Sequence, residues 1–320
     1  MPGADHYRHR DDLLPEAPGV VAAACAYQSS GLPEGDHRGL PSPWVTFIVS
    51  VDRPVRVSGT VQEGGSFDPA RATSYDVCVA GLHPVATRVE QPSEQAGVQL
   101  SLHPLAVPAL LGCRAAELVG QGDHGHELLG AAASELHERV GAATQASDRL
   151  DVVQQWLRDR VDHRRWSAMR PELVRAWELL QTSGGRYRVE DLAHDVQLSP
   201  RQLRALMVAE TGASPKQLAR EFRFDAVVGL LADGSRTLAE IAAETGYADQ
   251  AHLTREFRQM AGCSPSQWLA EERRNIQDGG HRKRPSWAHE RTDQHQADGS
   301  ADGGPWRGTS PDRVGHPPGP

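Results

Sequence analysis

The sequence repeats itself over its C-terminal third. Val189-Glu190-Asp191-Leu192-Ala193 aligns with Leu238-Ala239-Glu240-Ile241-Ala242 at an offset of 49 residues. Leu203, Met207, Gly212, Ser214-Pro215 and Gln217 align with Leu253, Phe257, Gly262, Ser264-Pro265 and Gln267 at an offset of 50. The extra residue falls in the short turn after Leu198 and Tyr247. Each copy therefore has the same plan: a short helix, a tight turn, and a second helix that stops at Gly212 or Gly262. Apolar residues recur at helical spacing in both copies. The first helices pack through Leu192 and Val196, or Ile241 and Thr245. The second helices pack through Leu203, Leu206 and Met207, or Leu253, Phe257 and Met260. Ser199-Pro200 is a strong helix start, with serine as N-cap and proline at the first helical position; Asp249 fits the same role in the second copy. This plan is a helix-turn-helix, in which a short turn fixes the crossing so that the second helix projects into a major groove. Pro215–Ala232 reads as the helix that joins the copies.

Upstream, the period changes. Trp44–Val51, Val55–Val61, Ser74–Ala80, Pro84–Val89 and Val98–Leu102 are short, rich in β-branched residues and punctuated by Gly, Pro and Ser. They predict a small antiparallel sheet or barrel. Leu105–Leu111, Ala115–Val119, Leu128–Val140 and Leu150–Val161 then show helical spacing, and Arg160–Arg170 reads as a charged connector. Pro171 and Gly184-Gly185 bracket a helix over Glu172–Leu180. The expected fold is α+β. Residues 1–40 form a partly flexible N-terminal segment, 41–165 a β-rich regulatory or dimerisation domain ending in helices, and 171–276 an all-α tandem helix-turn-helix domain. The stretch 279–320 holds 14 Gly or Pro in 42 residues and six residues of the apolar set. It cannot bury enough surface to offset chain entropy, so a disordered tail is expected. Its basic run, His281-Arg282-Lys283-Arg284, reads as a solvated face.

The residues of the repeat resemble the DNA-binding domain of the AraC/XylS family of bacterial transcription regulators. The resemblance rests on Leu-Ser-Pro-Arg-Gln-Leu at 198–203, Gly-Ala-Ser-Pro at 212–215 and Arg220-Glu-Phe-Arg223-Phe-Asp-Ala226 in the joining helix. It also rests on Leu238-Ala-Glu-Ile-Ala-Ala-Glu-Thr-Gly-Tyr-Ala-Asp-Gln-Ala-His-Leu253, on Thr-Arg-Glu-Phe-Arg258 and on Gly262-Cys-Ser-Pro-Ser-Gln-Trp268. It covers about a third of the chain. At Ala205 the sequence departs from the family, which often carries a second basic residue there. The resemblance implies sequence-specific binding of double-stranded DNA at promoters or operators. The two recognition helices would enter successive major grooves on one face of the duplex. It implies an N-terminal domain that senses a small-molecule effector or mediates homodimers, and RNA polymerase as a partner if the protein activates. It implies base contacts by Arg201, Arg204, Gln250, Thr254 and Arg255.

The helix faces lead to the same region. Packing through Leu203, Leu206 and Met207 leaves Arg201, Gln202, Arg204 and Ala205 facing outward, and no acid occurs from Ser199 to Ala209. Gln250, Ala251, Thr254 and Arg255 are outward in the second copy. Arginine pairs bidentately with guanine and glutamine with adenine. Gln202, Arg223, His252 and Arg258 are expected in phosphate-binding or structural roles. Charge works against affinity: the whole chain carries −8, and 171–276 holds 13 Lys or Arg against 15 Asp or Glu. Non-specific binding should therefore be modest in strength and steeply salt-dependent. The acids Glu190, Asp191, Asp195, Glu240 and Glu244 lie on first helices, where they can face away from DNA.

Other classes find little support. Cys25, Cys78, Cys113 and Cys263 lie far apart and form no CxxC pair, as expected of reduced thiols in the cytoplasm. Apolar runs are too short to span a bilayer, and the polar, charged first residues, without an apolar run, lead us to expect no secretory signal. GxSxG, HExxH and GxxxxGK[ST] are absent. His83-Pro84 and His103-Pro104 fall near strand ends, where a barrel could bring them together, but their spacing supports no metal site. No enzyme activity, cofactor or metal is expected. The residues leave three arrangements: a ligand-responsive regulator, which they favour, a DNA-binding protein whose N-terminal domain only dimerises, and an enzyme fused to a DNA-binding domain.

Overall fold

A computed structural model describes residues 6–10, 13–61, 66–118 and 123–272. The strands among the described residues are β1 (His6–Arg10), β2 (Val21–Ser30), β3 (Gly35–Gly39), β4 (Val45–Ser50), β5 (Val55–Thr60), β6 (Thr73–Tyr75), β7 (Val77–Ala80), β8 (Thr87–Gln91) and β9 (Glu94–Leu102), with β10 (Asp123–His124) following the first helix. They form two antiparallel sheets, β1-β2-β9-β4-β7-β10 and β3-β8-β5-β6. The strand expected over 74–80 is divided at Asp76: its first part pairs in the smaller sheet and its second in the larger.

The N-terminal segment does not stand apart from the β-rich domain. Residues 21–30 pair on both sides, with β1 and with β9, and 35–39 form an edge strand of the smaller sheet. An alanine-rich strand carries little intrinsic β preference. Here its small side chains are what fits: Ala24 and Ala26 are buried in the same core as Leu150, Val153, Trp156 and Leu157 of the helix that covers the sheet. The proposed tail, 279–320, lies outside the described residues.

Five helices complete this half: α1 (Val107–Leu111), α2 (Gly125–Leu129), α3 (Ala131–Ala142), α4 (Ala146–Arg160) and α5 (His163–Ser167). The periodic run 128–140 is interrupted between α2 and α3, where Gly130 takes φ 57°. The connector before the repeat is partly ordered: Asp162 accepts from the Arg164 and Arg165 amides and so caps α5.

The helical half holds α6 (Pro171–Thr182), α7 (Val189–Asp195), α8 (Pro200–Thr211), α9 (Pro215–Asp233), α10 (Leu238–Glu244), α11 (Gln250–Ala261) and α12 (Pro265–Glu272). The two helix-turn-helix units are α7–α8 and α10–α11, joined by α9 as the repeat requires. Leu203 and Leu253 are 0% and 1% exposed. Ser199 and Gln202 form a capping box at the start of α8, and Asp249 accepts from the His252 amide at the start of α11. Gly212 and Gly262 stop these helices in the left-handed region, at φ 79° and 73°.

Candidate DNA-binding surface

Because Leu203 and Met207 are buried, α8 presents the stripe Arg201, Arg204, Ala205 and Val208 to solvent. Arg201 and Arg204 make no side-chain hydrogen bond or ion pair among the described residues. Gln202 is exposed, but its side-chain oxygen accepts from the Ser199 amide and hydroxyl. The cap thus occupies the acceptor it would need to read adenine bidentately. In α11, burial of Leu253, Phe257 and Met260 leaves Gln250, Ala251, Arg255 and Arg258 exposed and Thr254 half-buried. Arg255 and Arg258 likewise have no side-chain partner among the described residues. The structure thus gathers Arg201 and Arg204 on one helix face and Arg255 and Arg258 on the equivalent one.

The acids are arranged to stay out of the way. Glu256, the one acid of α11, is turned inward with its side chain 11% exposed. It accepts from the Tyr247 hydroxyl at 2.8 Å and from Arg220 Nε at 3.3 Å, with Arg223 at 4.0 Å. Burial, with the Glu256 carboxylate adding, pushes the Tyr247 hydroxyl well above its ordinary range. Arg223 also donates to the Gly185 carbonyl and lies over the Tyr247 ring, a structural role. The His252 ring packs edge-on against Tyr247, and its Nδ1 faces the Ala248 amide. Asp195 accepts from Tyr187, whose hydroxyl is the main cause that holds its carboxyl low. Glu240 closes a capping box with Thr237, and Glu244 pairs with Arg236 at 2.9 Å.

Both recognition helices are held from behind by the β-rich half, a feature no sequence period announces. At the first copy, Trp44, Ala22 and Leu105 share a core with Trp177, Leu203, Met207 and Phe222. His103 lies inside this aromatic knot, 4.7 Å from Trp177 and 5.9 Å from Trp44 between ring centroids. Its Nδ1 accepts from the Leu105 amide, and burial pushes its imidazole down to about 3. At the second copy, the Ala86 amide donates to the Met260 carbonyl at 2.7 Å, Arg38 of β3 pairs with Glu271, and Leu40 leans on the core. The two C-cap glycines are docked at the same point of the repeat. A Cβ at Gly212 would come 3.3 Å from Ala116 Cα, and one at Gly262 would come 2.6 Å from Val61 Cγ2. Among the described residues, no three His, Cys, Asp or Glu side chains converge to hold a metal ion. Nor is any described helix long and apolar enough to cross a membrane.

Comparison with known proteins agrees with this geometry. Residues 192–271 match a family model described as a helix-turn-helix domain. An uncharacterized HTH-type transcriptional regulator of Escherichia coli K12, YidL, is 30% identical over 25% of this chain and 27% of its own. The HTH-type transcriptional regulator Rv1931c of Mycobacterium tuberculosis is 29% identical over 27% of this chain and 33% of its own. A crystal structure of ToxT from Vibrio cholerae is 13% identical, covering 77% of this chain and 96% of that one with a TM-score of 0.43. The chain spans about a third or less of the length of the curated relatives it matches. Residues 192–271 of this chain therefore hold a helix-turn-helix domain.

Proposed function

We propose that this protein is a sequence-specific transcription regulator that acts in the cytoplasm. In this reading α8 and α11 enter successive major grooves of one operator, and a small molecule at the β-rich half controls the binding. One observation carries the reading: two matched helix-turn-helix units each present a pair of unpartnered arginines on the face opposite their buried stripe. Arg201, Arg204 and Arg255 contact base edges, with Gln250 and Thr254 beside them. Arg258 meets phosphate, and Gln202 holds the helix start. The shared core at Trp44 and the hydrogen bond from Ala86 to Met260 support control from the N-terminal half, because a change there moves the helices it holds. RNA polymerase and a second copy of the chain are the further partners this role calls for. No catalytic step is part of it.

The test is competition binding of Arg255→Ala and Arg258→Ala with a panel of operator variants at two salt concentrations. A base-reading side chain carries roughly 1–3 kcal/mol, and its loss relaxes preference at one position; a phosphate contact weakens all sequences alike and lowers the salt slope. The expected result is the first behaviour for Arg255→Ala and the second for Arg258→Ala. Equal weakening of operator and random DNA by Arg255→Ala would overturn its assignment.

A further inference from the structure

The two recognition helices share a backbone plan but carry opposite chemistry along it. At the offset of 50, the exposed stripe of α8 pairs Arg201 with Ala251, Arg204 with Thr254, Ala205 with Arg255 and Val208 with Arg258. In α8 the cations come first and the apolar residues follow. In α11 the order is reversed. Val208 is 38% exposed, the one exposed large hydrophobic side chain among the described residues. A lone surface valine needs no explanation. This one continues a stripe that begins with two unpartnered arginines, on a helix face with no acid from Ser199 to Ala209.

The major groove has one apolar group to offer such a step, the C5-methyl of thymine, while guanine offers the acceptor pair that arginine matches. We propose that Ala205 and Val208 read thymine methyl groups, so that the operator is not a direct repeat although the protein is. The half-site under α8 places guanine toward the N-terminal end of the helix and thymine toward its C-terminal end. The half-site under α11 has guanine, met by Arg255, at the step where the first has the thymine met by Ala205, while Arg258 further along that stripe meets phosphate. This rests on the DNA-binding role proposed above and names what each helix recognises.

Selection of tight binders from random duplexes, followed by thymine-to-uracil exchange, tests it, because uracil lacks only the methyl group. The half-site of α8 is the one whose preference Arg201→Ala relaxes. The expected result is two dissimilar half-sites about one helical turn apart, with a thymine in the α8 half whose exchange for uracil weakens binding about fourfold, the worth of one buried methyl-sized group. In Val208→Ala, an exposed change to a better helix former, the same exchange should cost less than about twofold, since most of the apolar surface meeting the methyl is gone. Identical half-sites overturn the inference while leaving specific binding intact. So does an unchanged affinity on uracil exchange, or an equal loss in wild type and Val208→Ala. Failure to enrich any sequence overturns both this and the regulator role.

Discussion

The first and second helix-turn-helix units differ less in their helices than in what lies behind them. The core of the first is shared: Trp177, Leu203, Met207 and Phe222 are buried together with Ala22, Trp44 and Leu105 from the β-rich half. The second is built around Phe224, Ile241, Leu253, Phe257 and Trp268, and the β-rich half adds only the partly buried Leu40. Its attachment is instead a backbone hydrogen bond, an ion pair and the seat of Gly262 on Val61. A shared apolar core transmits displacement because close-packed side chains give little. A polar seat releases more readily. The comparison teaches that the first unit moves with the β-rich half, while the second is the one whose position the attachment can change.

The largest effect should come from breaking the shared core. Trp177→Ala removes a fully buried ring that touches Trp44, His103 and Phe222, and should cost about 3–5 kcal/mol. Hydrogen exchange should quicken in β4 as well as in α7–α8. Phe257→Ala, of comparable cost, should quicken exchange in α10–α12 and leave β4 protected. Equal spread from both variants would erase the distinction between the two cores.

Next come the paired glycines. Alanine at either left-handed C-cap brings backbone strain of roughly 1–2 kcal/mol. At Gly262 the added methyl also overlaps Val61, so in urea denaturation Gly262→Ala should lose about 1–2 kcal/mol more unfolding free energy than Gly212→Ala. The reverse order would show that the second copy is not seated on Val61.

Protonation should separate the junction from the linking helix. His103 has its imidazole pushed from the ordinary 6.5 down to about 3 by burial. The unfolded chain therefore takes up a proton before the native state does, and stability is lost as pH falls from 6.5 toward 3. Glu221 of α9, buried and pushed from 4.5 up to about 8, works in the opposite sense. The native state keeps its proton longer, so this stabilisation is complete below 4.5 and lost as pH rises toward 8. Denaturation against pH should show the acid-side slope flattened in His103→Asn and the alkaline-side slope flattened in Glu221→Gln. Slopes unchanged in these variants would mean that other groups set them.

The smallest effect concerns the turns. Gln197 takes φ 58° where the second copy has Gly246 at 79°. Gln197→Gly relieves left-handed strain but frees the unfolded chain, for a net gain of about 0.5–1 kcal/mol. A loss on this change would show that the Gln197 side chain contributes contacts worth more than the strain.

The sequence disclosed the repeat, its caps and its outward faces because each is a local regularity. Leu203 and Leu253 sit in 3.6-residue periods, and Ser199, Asp249, Gly212 and Gly262 mark helix ends by their own chemistry. The strand over 21–30 was not legible, since Ala22, Ala23, Ala24 and Ala26 prefer strands only once a sheet and α4 close around them. The join between the halves was hidden for the same reason. Trp44, Leu105 and Trp177 meet only after folding, and no spacing records a contact between segments that far apart. At the DNA-facing surface, the arginines could be read from the helical stripe. The inward turn of Glu256 toward Tyr247, Arg220 and Arg223, and the capture of Gln202 by its own helix cap, needed the third dimension.

The claim that two copies of one geometry read two different sequences is tested most directly by base-resolved protection of one selected operator, bound in turn by wild type, Arg201→Ala and Arg255→Ala. The account predicts two protected half-sites about 10 base pairs apart, with Arg201→Ala erasing the guanine contact in one and Arg255→Ala erasing it in the other. Both variants losing protection in the same half-site, or thinning it evenly across the whole footprint, would contradict it.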